Sequence, residues 1–243
     1  ALTDAEAFTL TDDGPTIESV SVNNTITDAN VVTLEDLGVT IWAQGDALEI
    51  LNGDFGDSYL WAGRYTYHLP VSWRTYSWEY NSFATPDAIT QTFDVVDPNL
   101  TCGGTCLLYV KTISSTGMDA WWKGSGVRQS TTENPGLAIA DGTEYSLGFK
   151  YKAAAYDISL KLEVRIIDSR GYVWDDTAGN WSTTWSTISK LLSPTGDYQT
   201  AAITFTGAAD GPLAIEIHAA QTLTGYAGGL RYVELDDVTL VEV

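Results

Sequence analysis

The chain is short of the residues on which most metal and redox chemistry depends. It has two cysteines, two histidines and one methionine among 243 residues. Cys102 and Cys106 have no second Cys/His pair at finger spacing, which argues against a structural zinc. Neither a His-Glu-x-x-His helix, a Gly-x-Ser-x-Gly elbow nor a phosphate-cradling glycine loop is present. Basic residues are scarce too: 12 Lys and Arg stand against 32 Asp and Glu, for a formal charge of −20. Such a surface repels phosphate backbones and anionic lipid, so nucleic-acid and membrane-surface binding are not expected. No apolar run approaches the roughly 20 residues that span a bilayer, so no membrane insertion is expected. The opening Ala1-Leu2-Thr3-Asp4 lacks the basic and apolar segments of a signal peptide, which leaves a removed leader or another export route, such as a virion.

What the chain does have is aromatic and β-forming. Trp numbers 9 and Tyr 13, and the hydrophobic share of 44% is enough for a packed core. Runs of Ala, Leu, Glu and Lys are missing, which favours strands over helices. The glycines of Cys102-Gly103-Gly104-Thr105-Cys106 let that loop close as a disulfide suited to an oxidising compartment, with a pair of free thiols as the alternative. Three glycosylation triplets, at Asn23, Asn99 and Asn180, are what chance provides in a chain this rich in Ser and Thr.

Residues 1–44 read differently from the rest. Asp4, Asp12, Asp28 and Asp36 recur at multiples of eight residues, each after a Leu-Thr-like phrase. That predicts short strands ending in Asp-led turns. The segment is too poor in large apolar residues to hold a core alone, so it is expected to be an extended arm that pairs with the main domain or a neighbouring copy.

From 45 to 243 the period is two. Tyr145, Leu147, Phe149 and Tyr151 share one face of a strand, and stretches 107–110, 158–166, 202–205, 213–218 and 232–240 also read as strands. Turn residues fill the gaps and no βαβ rhythm appears. One buried and one wet face per strand predicts an all-β, antiparallel two-sheet sandwich.

Several phrases, in order, resemble the carbohydrate-binding-module jelly rolls of secreted glycan-degrading enzymes, which recur in bacteriophage structural proteins. They are Asn52-Gly53-Asp54-Phe55, Pro70-Val71-Ser72-Trp73, Gly126-Val127-Arg128-Gln129, Asp141-Gly142-Thr143-Glu144-Tyr145 and Glu234-Leu235-Asp236-Asp237-Val238. The resemblance covers about 45–243 and implies a galactose-binding-like jelly roll. It also implies a structural calcium tying the opening phrase to the closing aspartates, through Asn52, Asp54 and Asp57 with Asp236 or Asp237. Gly56 stands where the family has Glu, which alters the charge of that site. The bland alternative is a set of turn aspartates facing water.

A sugar-binding face is the second candidate. Flat aromatics stack on sugar C–H faces while carboxylates and guanidinium groups bond the hydroxyls. Opposite the apolar rows lie Lys161, Glu163 and Arg165 on one strand and Glu216 and His218 on another. If those strands are neighbours they form a polar band, with Trp122 and Trp181 as stacking rings; the alternative is a solvated face of cross-strand pairs. The aromatic insert from Tyr59 to Tyr80 reads as packing or protein contact.

The expectation is therefore a non-catalytic glycan-binding module, secreted or displayed on a virion or cell surface, with polysaccharide or cell-surface glycan as partner. A structural or tail component of a virion, associating through residues 1–44, is the alternative. A jelly-roll glycosidase using Glu163 and Glu216 comes third.

Overall fold

The structure, a computed structural model, describes residues 48–62, 66–81, 89–92, 100–116, 119–153, 160–184, 186–221 and 230–243. The expected arm of residues 1–44 lies outside them. Among the described residues every regular element is a strand. In chain order these are β1 (Ser58–Ala62), β2 (Thr66–Pro70), β3 (Arg74–Asn81), β4 (Ile89–Thr92), β5 (Leu100–Cys102), β6 (Cys106–Thr116), β7 (Asp119–Gln129), β8 (Ala138–Ile139), β9 (Glu144–Ala153), β10 (Leu160–Ile167), β11 (Val173–Asp175), β12 (Asn180–Ser182), β13 (Lys190–Leu192), β14 (Gln199–Thr206), β15 (Gly211–Pro212), β16 (Ala214–Gln221) and β17 (Leu230–Glu242). The strands expected from alternation coincide with β6, β9, β10, β14, β16 and β17.

All pairings are antiparallel, and the fold is a β-sandwich of the jelly-roll class. One layer runs β4-β3-β7-β16-β10, continuing to β11, β12 and β13. The other runs β5-β6-β17-β9-β14. β7 belongs to both: residues 119–124 pair with β6, and 126–129 pair with β16. Ser125, fully buried at the change of partner, donates its hydroxyl hydrogen to the Tyr109 carbonyl at 3.2 Å. That bond satisfies a polar group that would otherwise be stranded in the interior.

The alternation read from the sequence is the alternation of burial. Leu160, Leu162, Val164 and Ile166 of β10 face inward, as do Ile215 and Ile217 of β16. They meet Leu147 and Phe149 of β9, Ile203 and Phe205 of β14, and Val233 and Leu235 of β17. Each such buried side chain contributes about 1.5–3 kcal/mol relative to exposure. This row fixes register, because a one-residue slip would turn the apolar set outward.

The opening phrase closes one end of the sandwich. Gly53 approaches the last strand so closely that a Cβ there would sit 2.0 Å from the Val238 carbonyl oxygen, and its own carbonyl accepts from Val238 N at 2.9 Å. Buried Gln129 clamps the phrase from the other side. Its amide nitrogen donates to the Leu51 and Ser72 carbonyls at 2.9 Å each, and its oxygen accepts from Leu51 N. The Trp73 indole donates to Asn52 O and packs on Phe55, ring centroids 5.3 Å apart. The phrases Asn52–Phe55, Pro70–Trp73 and Gly126–Gln129 are thus parts of one joint.

Candidate functional site

The outward faces of four neighbouring strands carry a continuous polar band. Register sets its first row as Arg74, Arg128, Glu216 and Arg165, across β3, β7, β16 and β10. Two residues along each strand, on the same face, the second row is Tyr76, Gly126, His218 and Glu163. The expected neighbouring of Glu163, Arg165, Glu216 and His218 is therefore what the strands produce.

The second row is one hydrogen-bonded chain. His218 Nε2 lies 2.7 Å from Glu163 Oε2, and His218 Nδ1 lies 3.0 Å from the Tyr76 hydroxyl. An ionised carboxylate only accepts, so Nε2 donates to Glu163, and Nδ1 is left to the Tyr76 hydroxyl. Gly126 makes this reach possible. A Cβ at that position would sit 2.5 Å from Tyr76 Cζ and 2.6 Å from His218 Cβ, so the tyrosine ring crosses where a side chain would stand.

In the first row Arg128 Nη1 holds Glu216 Oε1 at 2.9 Å. Arg165 sits across the strand pair from Glu216 and has no such bond. Its Nε is buried without a hydrogen-bond partner. Beside the band, Lys161 donates to Ser193 Oγ at 2.7 Å.

Burial pushes the Glu163 carboxyl up, but the hydrogen bond and charge of His218, with the Arg165 guanidinium, outweigh it and hold the group below its ordinary value. The Tyr76 phenol is driven well above its ordinary value, first by burial and then by the Glu216 charge. Glu163 is thus an anion and Tyr76 a neutral phenol at neutral pH.

Three of the expected contacts are placed differently. Glu216 and His218 were expected as direct ligand contacts, yet their side chains keep only 4% and 7% exposure, against 30% for Arg128 and 18% for Glu163. Tyr76 lies against His218 and Arg128 takes Glu216, so the buried pair orients its neighbours and the rim groups face outward. Trp181 is not a stacking platform beside the band. Its indole donates to Thr206 O at 2.7 Å, and its ring meets Phe205 and Trp174 edge-on, at the margin of the core. Trp122 lies in β7 opposite Tyr80, but its side chain falls outside the described residues.

The expected calcium ligands are partly engaged with protein groups, while the Asp236 carboxyl is raised first by burial and then by the nearby charges of Asp237 and Asp54. Asn52 spends its amide on the loop, donating to Asp57 O and Val71 O at 2.8 Å and accepting from Asp57 N. Asp237 is paired with Lys150 at 2.6 Å, and Asp54 accepts from Gly56 N. Asp57 is exposed, and Asp236 accepts from the Asp237 amide at 2.8 Å. Among the described residues no cluster of three or more Asp, Glu, His or Cys is placed to hold a metal.

Cys102 and Cys106 are disulfide-bonded, facing each other across the β5–β6 hairpin. Tyr76, Arg74, Arg128 and Gly126 joined the site without being singled out as ligand contacts from the sequence. The available signal was the outward alternation Gly126-x-Arg128, but only pairing with β3 and β16 gives it a neighbourhood.

No family model matches the chain, and no curated protein does. Among solved structures it is similar to a CBM4 carbohydrate-binding module, at 17% identity over 72% of this chain and 97% of that one, TM-score 0.39. It is also similar to the N-terminal cellulose-binding domain of the Cellulomonas fimi β-1,4-glucanase C, at 21% identity, 59% and 82% coverage and TM-score 0.36. A third is the enzymatically active domain of bacteriophage CBA120 tailspike protein 4, at 10% identity, 80% and 21% coverage and TM-score 0.38.

Proposed function

We propose that the chain is a non-catalytic glycan-binding module working outside the cell, with the polar band of β3, β7, β16 and β10 as its binding face. The observation that supports this most directly is Arg165. A half-buried guanidinium with a buried, unmet Nε stands among Glu163, Glu216 and His218 on an outward sheet face. A purely structural band would be expected to satisfy its own donors. A polyhydroxylated ligand offers acceptors to the half-exposed guanidinium of Arg165 and donors to the rim of Glu163. The disulfide supports an oxidising compartment.

Hydrolysis is disfavoured by the state of the carboxylates. A glycosidase needs one carboxyl raised so that it can donate a proton. Glu163 is shifted the other way, and Glu216 is held by Arg128. The test is affinity electrophoresis of the full chain against a polysaccharide panel, neutral and acidic. Retardation by at least one polymer, abolished by Glu163→Ala in a folded variant, is the expected result. A chain retarded by none of them would end this reading.

One observation favours a second reading, a contact surface for another protein. Tyr59 and Leu60 on the β1–β2 hairpin are 50% and 62% exposed, and adjoining Val71 is 41% exposed. Exposed large apolar residues on one hairpin are candidates for association. Concentration-dependent sedimentation that disappears with Leu60→Ser is its expected signature.

A further inference from the structure

This inference rests on the glycan-binding reading and names the chemistry of the ligand. The two carboxylates beside Arg165 are already committed: Glu163 to His218 at 2.7 Å, and Glu216 to Arg128 at 2.9 Å. The Arg165 Nε is left buried with no acceptor. Arginine stays charged at any working pH, so it cannot escape by losing a proton. In its row Glu216 is taken by Arg128, and Glu163 beside it is taken by His218, so neither carboxylate is bonded to Arg165.

A sugar hydroxyl offers a guanidinium one neutral acceptor. A carboxylate offers two oxygens matched to the fork of the guanidinium, together with a charge, and such bonds are roughly twice as strong as neutral ones. We propose that this face recognises glycans bearing carboxylates, of the uronic-acid type, with the ligand carboxylate held by Arg165. Glu163, on the rim of the same face, bonds the hydroxyls. The acidity of the remaining surface does not forbid this. Screening extends over about 8 Å at physiological ionic strength, so distant acids are damped while a half-buried contact pair is not.

The test uses the full chain and isothermal titration with acidic oligosaccharides prepared from polygalacturonate, alginate and glucuronoxylan. Each is compared with the same material after carboxyl reduction, which turns the carboxylate into a hydroxymethyl group and leaves the backbone. At least one acidic ligand is expected to bind, and reduction is expected to weaken it by about tenfold or more. Arg165→Gln should erase that preference, with at most a small fall in melting temperature from the charge lost beside Glu163. If Arg165→Gln fails to fold, Arg165→Lys keeps the charge but not the fork, and it should narrow the preference. Equal binding of acidic and reduced forms, no binding of any acidic ligand, or an undiminished preference in these variants overturns the proposal. Neutral glycan binding that depends on Glu163 would then leave the glycan reading standing. Absence of all carbohydrate binding removes both.

Discussion

His218 and Glu163 face each other across adjacent antiparallel strands with Nε2 and Oε2 2.7 Å apart, and this bond sets the charge state of the site. Glu163→Gln is expected to destabilise the fold at pH 7 by about 1.5–3 kcal/mol, the range for hydrogen bonds to charged groups. The pH dependence has a defined sign. A carboxyl held below its ordinary value in the native state contributes stability above its unfolded value, roughly 4.3, and loses it as pH falls through the lower native one. Urea denaturation at pH 7 and at pH 3 should show the two proteins converging in acid. A gap that stays constant across that range would contradict the assignment.

Gly126 is where the second row is most easily broken. A Cβ there meets both the Tyr76 ring and His218 at about 2.5 Å. Gly126→Ala should therefore lower stability by about 1–3 kcal/mol, the usual cost of overpacking. In a double-mutant cycle, adding Tyr76→Ala should recover part of that loss, because the ring that clashes is gone. Strictly additive losses in thermal melts would place the strain elsewhere.

The strands that build the face were legible because their inward rows are unbroken. Leu160, Leu162, Val164 and Ile166 fix where Glu163 and Arg165 point, and Ile215 with Ile217 does the same for Glu216 and His218. The other half of the site was not legible. Tyr76 and Arg74 reach it only because β3 pairs with β7, a register between distant segments that no local pattern encodes. Burial of His218 was hidden for the same reason, since it depends on a tyrosine from two strands away crossing the glycine between them. Trp181 illustrates the opposite failure. An aromatic in a loop reads as an open ring until the loop is seen to fold back on Phe205 and Thr206.

The outer face of the second layer offers a spectroscopic check. Tyr198 donates to Glu234 at 2.9 Å, and Lys152, 3.0 Å from the same carboxylate, lies over its ring. Burial first, then the bond and charge of Glu234, push its phenol up to about 12. Carbon-detected NMR titration of the tyrosine ring should show it among the last phenols to ionise, and Glu234→Gln should bring it down. A phenol raised in the native state favours folding below its unfolded value, near about 10, and that contribution fades as pH climbs through the higher native one. A Tyr198 midpoint that Glu234→Gln leaves unmoved would refute the pairing.

The disulfide closes a very short loop, so its chain-entropy contribution is modest. Replacing Cys102 and Cys106 together with Ser should cost about 2 kcal/mol by the loop-length relation, and a reducing agent should give the same shift in melting temperature for the parent protein. A larger loss, or failure of the reduced chain to fold, would mean that the β5–β6 hairpin depends on the bond for more than loop closure.

β7 has a mechanical consequence. Arg128 and Gly126 sit on the half that pairs with β16, and the same backbone, a few residues earlier, is laced to β6 in the opposite layer. If a tethered polymer is gripped at the face, as proposed above, its tension passes along one covalent strand into both layers at once. Detaching that grip by force requires shearing ladders on two sides of the sandwich, so the anchorage resists pulling as a whole body and not as a peeling edge.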